Sequence, residues 1–114
     1  MKLAVIGGRD FKDKELLYST LNSLKIKPEK IISGGASGAD TLAESWANDN
    51  KVNIQIFYPD WKTHGKAAGP IRNRLIISNC DVCIAFWDGK SKGTKSSIDM
   101  CKASGVSLHI INYL

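Results

Sequence analysis

At 114 residues, 43% hydrophobic and 24% charged, the chain (residues 1–114) has the size and composition of one soluble domain with one core. No apolar run nears the ~18 residues of a membrane helix, and Leu3-Ala4-Val5-Ile6 is too short for a signal peptide, so a cytoplasmic location is expected. Three cysteines without an export signal argue against a disulfide framework, and a net charge of +5 favours an anionic partner.

Short Val- and Ile-rich runs alternate with helical patterns. Leu3 to Ile6 is a continuous apolar run, as in a strand buried on both faces. Glu15 to Leu24 has helical spacing, with Leu17, Leu21 and Leu24 on one face and Pro28 closing the segment. Ile31-Ile32 predicts a second strand. Residues 39–50 predict a helix with Ala39, Leu42, Ala43, Trp46 and Ala47 inward. Val52 to Phe57 alternates and stops at Pro59, as a third strand would. A Gly/Lys-rich loop follows, then a helix whose apolar face is read as Ile71, Leu75 and Ile76. Val82 to Phe86 is a fourth strand, Thr94 to Ser104 a helix with Ile98 and Cys101 inward, and Val106 to Ile111 a last strand. This order predicts an α/β fold: a single three-layer Rossmann-like domain with a mainly parallel five-stranded sheet and helices on both faces.

Ligands of such sheets bind beyond the carboxyl ends of the strands. Four segments fall there. Gly7, Gly8, Arg9 and Asp10 follow the first strand, and Gly34, Gly35, Ala36, Ser37, Gly38 and Asp40 follow the second. Trp61 follows the third, with His64, Gly65, Lys66, Gly69, Arg72 and Asn73 beyond it. Trp87, Asp88, Gly89, Lys90, Ser91, Gly93, Thr94 and Lys95 follow the fourth. Residues 62–95 hold seven Lys/Arg against two Asp, so the net charge of +5 comes from this stretch alone.

Each chemistry has a requirement to meet. The turn at Gly34–Gly38 suits a phosphate cradle, with N–H groups at a helix start and glycines that allow close approach. It is neither a Walker A loop, because Ala39-Asp40 stand where Lys-Ser/Thr belong, nor a dinucleotide fingerprint, because Ala36 replaces the second glycine. Gly35-Ala36-Ser37-Gly38-Ala39 approximates a nucleophile elbow, but His109 lies in or near the last strand and no acid partner stands out. Arg72, just after Gly69-Pro70, suits bidentate contact with phosphate. His64 sits in the same basic stretch, where Lys62 and Lys66 also fit a solvated loop. Trp61 and Trp87 offer flat faces for a base or pack at the rim, whereas Trp46 belongs to the core. Cys80 and Cys83 have CxxC spacing without a second pair, so no metal site is expected and both read as small buried hydrophobes.

Four motifs then carry a resemblance. Gly7-Gly8-Arg9-Asp10-Phe11, Gly34-Gly35-Ala36-Ser37-Gly38-Ala39-Asp40, Asp60-Trp61 with His64 to Asn73, and Ala85 to Lys95 occur in this order. Together they resemble the YspA-like, cpYpsA-related branch of the SLOG superfamily, named for the Smf/DprA and LOG proteins. The resemblance implies a Rossmann-like domain that binds a nucleotide or nucleotide-derived ligand, NAD-derived and cyclic ones included, as a sensor or sequestering protein. No cofactor is expected to be required. A domain this small with an open rim can complete its pocket from a neighbouring copy, so a homo-oligomer is expected, in the host-cell cytoplasm if a phage encodes the chain. LOG enzymes cleave N-glycosidic bonds of nucleoside monophosphates with an arginine and a glutamate. Arg72 matches the arginine, but Ser97 stands at the glutamate position. Asp99 lies two residues on, about 200° round a helix, so hydrolysis is the alternative to binding. Kinship with DprA adds single-stranded nucleic-acid binding as a further, less favoured alternative.

Overall fold

The computed structural model describes residues 1–113. Five strands, β1 (Lys2–Gly7), β2 (Lys30–Ser33), β3 (Asn53–Ile56), β4 (Val82–Trp87) and β5 (Ser107–Asn112), form one sheet in the order β3-β2-β1-β4-β5. Every neighbouring pair is parallel. β1 is central, with Leu3 opposite Ile31 on one side and Val82 on the other. Its residues Leu3, Ala4 and Val5 are fully buried, which is why the run is continuously apolar.

Successive side chains of β1 serve opposite layers. Leu3 and Val5 pack with α1 (Lys14–Asn22) and α2 (Ala39–Asp49), through Leu17, Leu21, Ala43, Trp46 and Ala47. Trp46 also donates its indole N–H to Asn22 Oδ1 at 2.9 Å, tying the two helices. Ala4 and Ile6 pack with α4 (Ala68–Ser78) and α5 (Lys92–Ser104), through Ile76, Ile77, Ile98 and Cys101. Cys83 lies buried in the same layer, and burial pushes the Cys80 thiol up to about 11, so neither presents a reactive thiolate near neutral pH. None of the described helices is long and apolar enough to cross a membrane.

The chain departs from the sequence expectation in two places. The Gly/Lys-rich loop contains a one-turn helix, α3 (Trp61–His64), and a 3₁₀ turn, Gly65–Ala67. Asp60 starts α3 by accepting the Thr63 N–H at 3.1 Å. The second departure is the face of α4. Its buried stripe is Ala68, Arg72, Ile76 and Ile77, while Leu75 is 44% exposed. Residues spaced by four share a helix face, so Arg72 sits in line with two core residues and is directed into the protein.

Strand order reverses between β1 and β4: the chain builds outward to β3, crosses the sheet through α4, then builds outward to β5. The turns after β1 and β4 therefore diverge to opposite layers and leave a crevice between them.

Candidate functional site

The turn after β1 forms the floor of this crevice. Gly8 O accepts from Phe11 N and from Ala39 N, each at 3.3 Å, so one carbonyl joins the turn to the start of α2. Beneath it, the Phe11 ring packs on Phe86 (centroids 5.0 Å apart) and edge-on against Tyr113 (4.6 Å). This aromatic cluster holds the Gly7–Asp10 backbone at a fixed height over the sheet.

The turn after β2 is partly occupied by its own chain. Gly35 N donates to Ser33 Oγ (3.4 Å), Ala36 N to Asp40 Oδ2 (3.2 Å) and Ala39 N to Gly8 O (3.3 Å). Gly38 has φ +79°, and a Cβ there would stand 2.3 Å from Gly8 O and 2.6 Å from Arg9 O. Glycine is required because the two turns lie directly against each other. Ser37 Oγ donates to Arg9 O at 3.3 Å. A catalytic role for Ser37 finds no partner in His109, which lies on β5 opposite Ile84 of β4, three strand spacings from β2 or about 14 Å.

Asp40 is buried, and its carboxylate turns back to its own loop instead of toward solvent. Burial pushes it up to about 6, against the opposing pull of the Ala36 N–H and the Arg72 charge. Arg72 is only 8% exposed. Its Nη1 donates to Gly34 O at 2.6 Å and its Nε to Asn73 Oδ1 at 2.8 Å. Burial lowers its affinity for the proton, Asp40 opposes that, and Arg9 adds to it. Among the described residues Nη2 has no hydrogen-bond partner, so the guanidinium is positioned by two of its nitrogens and can donate from the third.

The turn after β4 is arranged differently. Asp88 Oδ1 accepts from Lys90 N and Ser91 N, both at 2.8 Å, and these bonds hold the Asp88 carboxyl below its ordinary range. Ser91 caps α5, its Oγ accepting from Thr94 N at 3.4 Å. The first helical bond is Lys95 N to Ser91 O, which leaves the N–H groups of Lys92 and Gly93 without an intrahelical acceptor. The start of α5 thus has N–H groups that can receive an anion; at α2, where the first helical bond is Leu42 N to Gly38 O, the Asp40 and Thr41 N–H groups likewise lack an intrahelical acceptor.

These parts enclose a cavity of about 620 Å³. From β1 it takes Gly7, Gly8, Arg9 and Asp10; from the second turn, Ala36 and Asp40. Gly69, Arg72 and Asn73 of α4 line it, as do Asp88, Lys90, Ser91, Gly93 and Thr94. A side hollow contains Gly34, Gly35, Ser37 and Trp61. Trp87, Gly89 and Lys95 line a separate outer hollow, where Trp87 Nε1 donates to Ser91 O at 3.1 Å and braces the turn. Gly38, His64, Gly65 and Lys66 border none of these spaces; the last three are exposed. Ser97, at the position of the LOG glutamate, is buried and faces the cavity, while Asp99 pairs with Lys95 at 2.8 Å on the outer side. Sequence reasoning missed Tyr58 and Pro59, which wall the side hollow. An aromatic residue at the carboxyl end of β3 was the available signal. Among the described residues no three His, Cys, Asp or Glu side chains gather as metal ligands.

A model of the YspA, cpYpsA-related SLOG family matches residues 1–64, more than half of the chain. The chain belongs to this family. The Gene 61 protein of Mycobacterium phage D29 is 31% identical over 121 residues, covering 98% of this SLOG-family chain and 95% of the phage protein. Among solved structures, DNA processing protein A (DprA) from Streptococcus pneumoniae superposes with a TM-score of 0.83 at 21% identity. DprA from Helicobacter pylori, described for its single-stranded DNA binding mode, gives 0.79 at 24% identity. Both matches take in essentially the whole SLOG-family chain, which spans 50% of the first DprA chain and 66% of the second. At these identities the likeness is one of fold.

Proposed function

We propose that the crevice between β1 and β4 binds the phosphate-bearing end of a nucleotide or nucleotide-derived ligand, and that the protein acts by holding it, as a sensor or sequestering protein. One observation carries this: a cavity of about 620 Å³ brings Arg72 and Gly93, whose N–H is open at the start of α5, to the same space. Its size falls within the ~300–1,000 Å³ of small-molecule sites. Gly93 N–H, with Arg72 and Lys90, receives the phosphate, and the Ser91 and Thr94 hydroxyls add donors. Asp10 serves as acceptor for ribose hydroxyls, a role that Asp40 gives up by bonding its own turn.

Binding without turnover is supported by the absence of a carboxylate at Ser97 and by the outward pairing of Asp99. A thermal-shift series over nucleosides, nucleoside monophosphates, dinucleotides and cyclic nucleotides tests the proposal. A ligand at ~100 times its Kd adds about 2.7 kcal/mol of stability, or roughly 10 °C for a chain of this size. If no phosphorylated ligand moves the midpoint, or nucleosides move it equally, the proposal fails. Release of free base during incubation would instead establish the N-glycosidase alternative.

A second reading is single-stranded nucleic-acid binding. The fold likeness to H. pylori DprA and the concentration of the net charge in residues 62–95 favour it. It predicts that oligonucleotide affinity falls steeply with salt; a salt-insensitive affinity equal to that of one nucleotide rules it out.

A further inference from the structure

A side hollow of about 440 Å³ adjoins the main cavity and shares Arg9, Ala36 and Arg72 with it. Its character is different. Gly34, Gly35 and Ser37 line one side, and Tyr58, Pro59 and Trp61 the other. Tyr58 is 70% exposed and Trp61 51%, although aromatic side chains usually bury most of their area. Both rings are nevertheless seated. The Tyr58 ring lies over Gly35 so closely that a Cβ there would stand 2.6 Å from Cε1. The Trp61 ring lies beside Gly69, 3.7 Å from its Cβ position, and Trp61 itself opens a helical turn fixed by the Asp60 cap. Each ring touches a glycine and leaves much of its surface exposed. Such rings are stacking platforms for a flat, apolar-faced group.

Arg9 and Arg72 line both spaces. Neither forms an ion pair among the described residues, and the Arg9 charge works against that of Arg72. Two neighbouring like charges, one of them buried and held by its Nη1 and Nε, are satisfied together by an anion that touches both.

Resting on the nucleotide reading above, we infer that the ligand comprises two base-bearing units joined through phosphate. One unit occupies the cavity at α5, the linking phosphate lies on Arg9 and Arg72, and the second base stacks on Tyr58 and Trp61. This chemistry has two sources, a free dinucleotide with a 5′–5′ pyrophosphate link and a 3′–5′ step of a single strand.

Calorimetric titration of the full chain separates these cases. The probes are adenosine and thymidine monophosphates, the corresponding 3′–5′ dinucleotides, diadenosine diphosphate, and an oligothymidylate strand. A linked dinucleotide is expected to bind about tenfold or more tighter than either monophosphate. Tyr58→Ala and Trp61→Ala, both at exposed positions and so compatible with folding, are each expected to remove about tenfold of that gain while leaving the monophosphate affinity unchanged. A preference for diadenosine diphosphate assigns a free dinucleotide; a preference for the 3′–5′ link, increasing with the strand, assigns nucleic acid. Equal affinity for monophosphates and dinucleotides, or equal losses for both in Tyr58→Ala, overturns the two-unit inference and leaves the phosphate site standing. Failure of every probe to bind overturns both.

Discussion

Gly38→Ala tests the contact on which the site is built. Gly38 has φ +79° and ψ −126°, a region that costs a residue with a side chain about 1–3 kcal/mol. The added Cβ would also meet Gly8 O at 2.3 Å and Arg9 O at 2.6 Å. Both are backbone atoms and cannot swing aside, so relief requires the turns after β1 and β2 to part. Overpacking of this kind costs about 1–3 kcal/mol more. The expected loss is about 3–5 kcal/mol, a large share of the ~5–15 kcal/mol that holds a domain folded. Gly105→Ala is the comparison. Gly105 ends α5 at φ +75° and ψ 17°, with nothing within 4 Å of its Cβ position. Its substitution should cost only about 1–2 kcal/mol. Urea denaturation of both variants, at matched m-values, gives the difference directly. Losses equal to within about 0.5 kcal/mol would show that the second turn does not rest on Gly8 and Arg9, and the described floor of the cavity would be wrong.

Three further outcomes follow from individual residues. Asp40 is raised from 3.8 to about 6, so between about pH 4 and pH 6 the folded protein keeps a proton that the unfolded chain has released. Wild-type stability should therefore fall relative to D40N as pH rises through this window, by about 3 kcal/mol at most; parallel denaturation profiles would contradict the burial of this carboxylate. Ser91→Ala removes the cap of α5, and with a bond of 3.4 Å the loss should lie near the low end, about 0.5–1 kcal/mol by thermal unfolding. No loss would show that the hydroxyl does not cap the helix. Asp99→Asn breaks an exposed pair with Lys95 and should change stability by less than about 0.5 kcal/mol and nucleotide affinity not at all. A marked loss of binding would place α5 in a different rotation.

The layered fold was legible because its signals are local and repeated. The run Leu3 to Ile6 reads as the central strand because it is apolar at every position, and Trp46 reads as core from its place on the α2 face. The orientation of α4 was not legible. Arg72 counts as polar in any amphipathic pattern, yet its stem lies in the Ala68–Arg72–Ile76 stripe and its head is fixed by Gly34 O, a partner 38 residues away. Leu75 is displaced to the exposed side as a result. Asp40 misled for a related reason. An acidic residue in the first turn of a helix suits a ligand contact and a loop staple equally, and only the fold shows its carboxylate bonding Ala36. The rim itself was visible in the glycines, but not how its turns are tied together. That depends on Gly8 O reaching Ala39 N across two turns distant in sequence.

In the proposed site, Arg72 and the start of α5 hold phosphate. Isothermal titration of a nucleoside monophosphate and its parent nucleoside into the wild-type protein and Arg72→Lys tests it most directly. Charge-assisted contacts worth about 1.5–3 kcal/mol predict a monophosphate preference of roughly 10- to 100-fold in wild type, much reduced in the variant because an ammonium cannot reproduce the planar fork. Equal affinity for nucleoside and monophosphate, or a preference untouched by Arg72→Lys, would contradict the account.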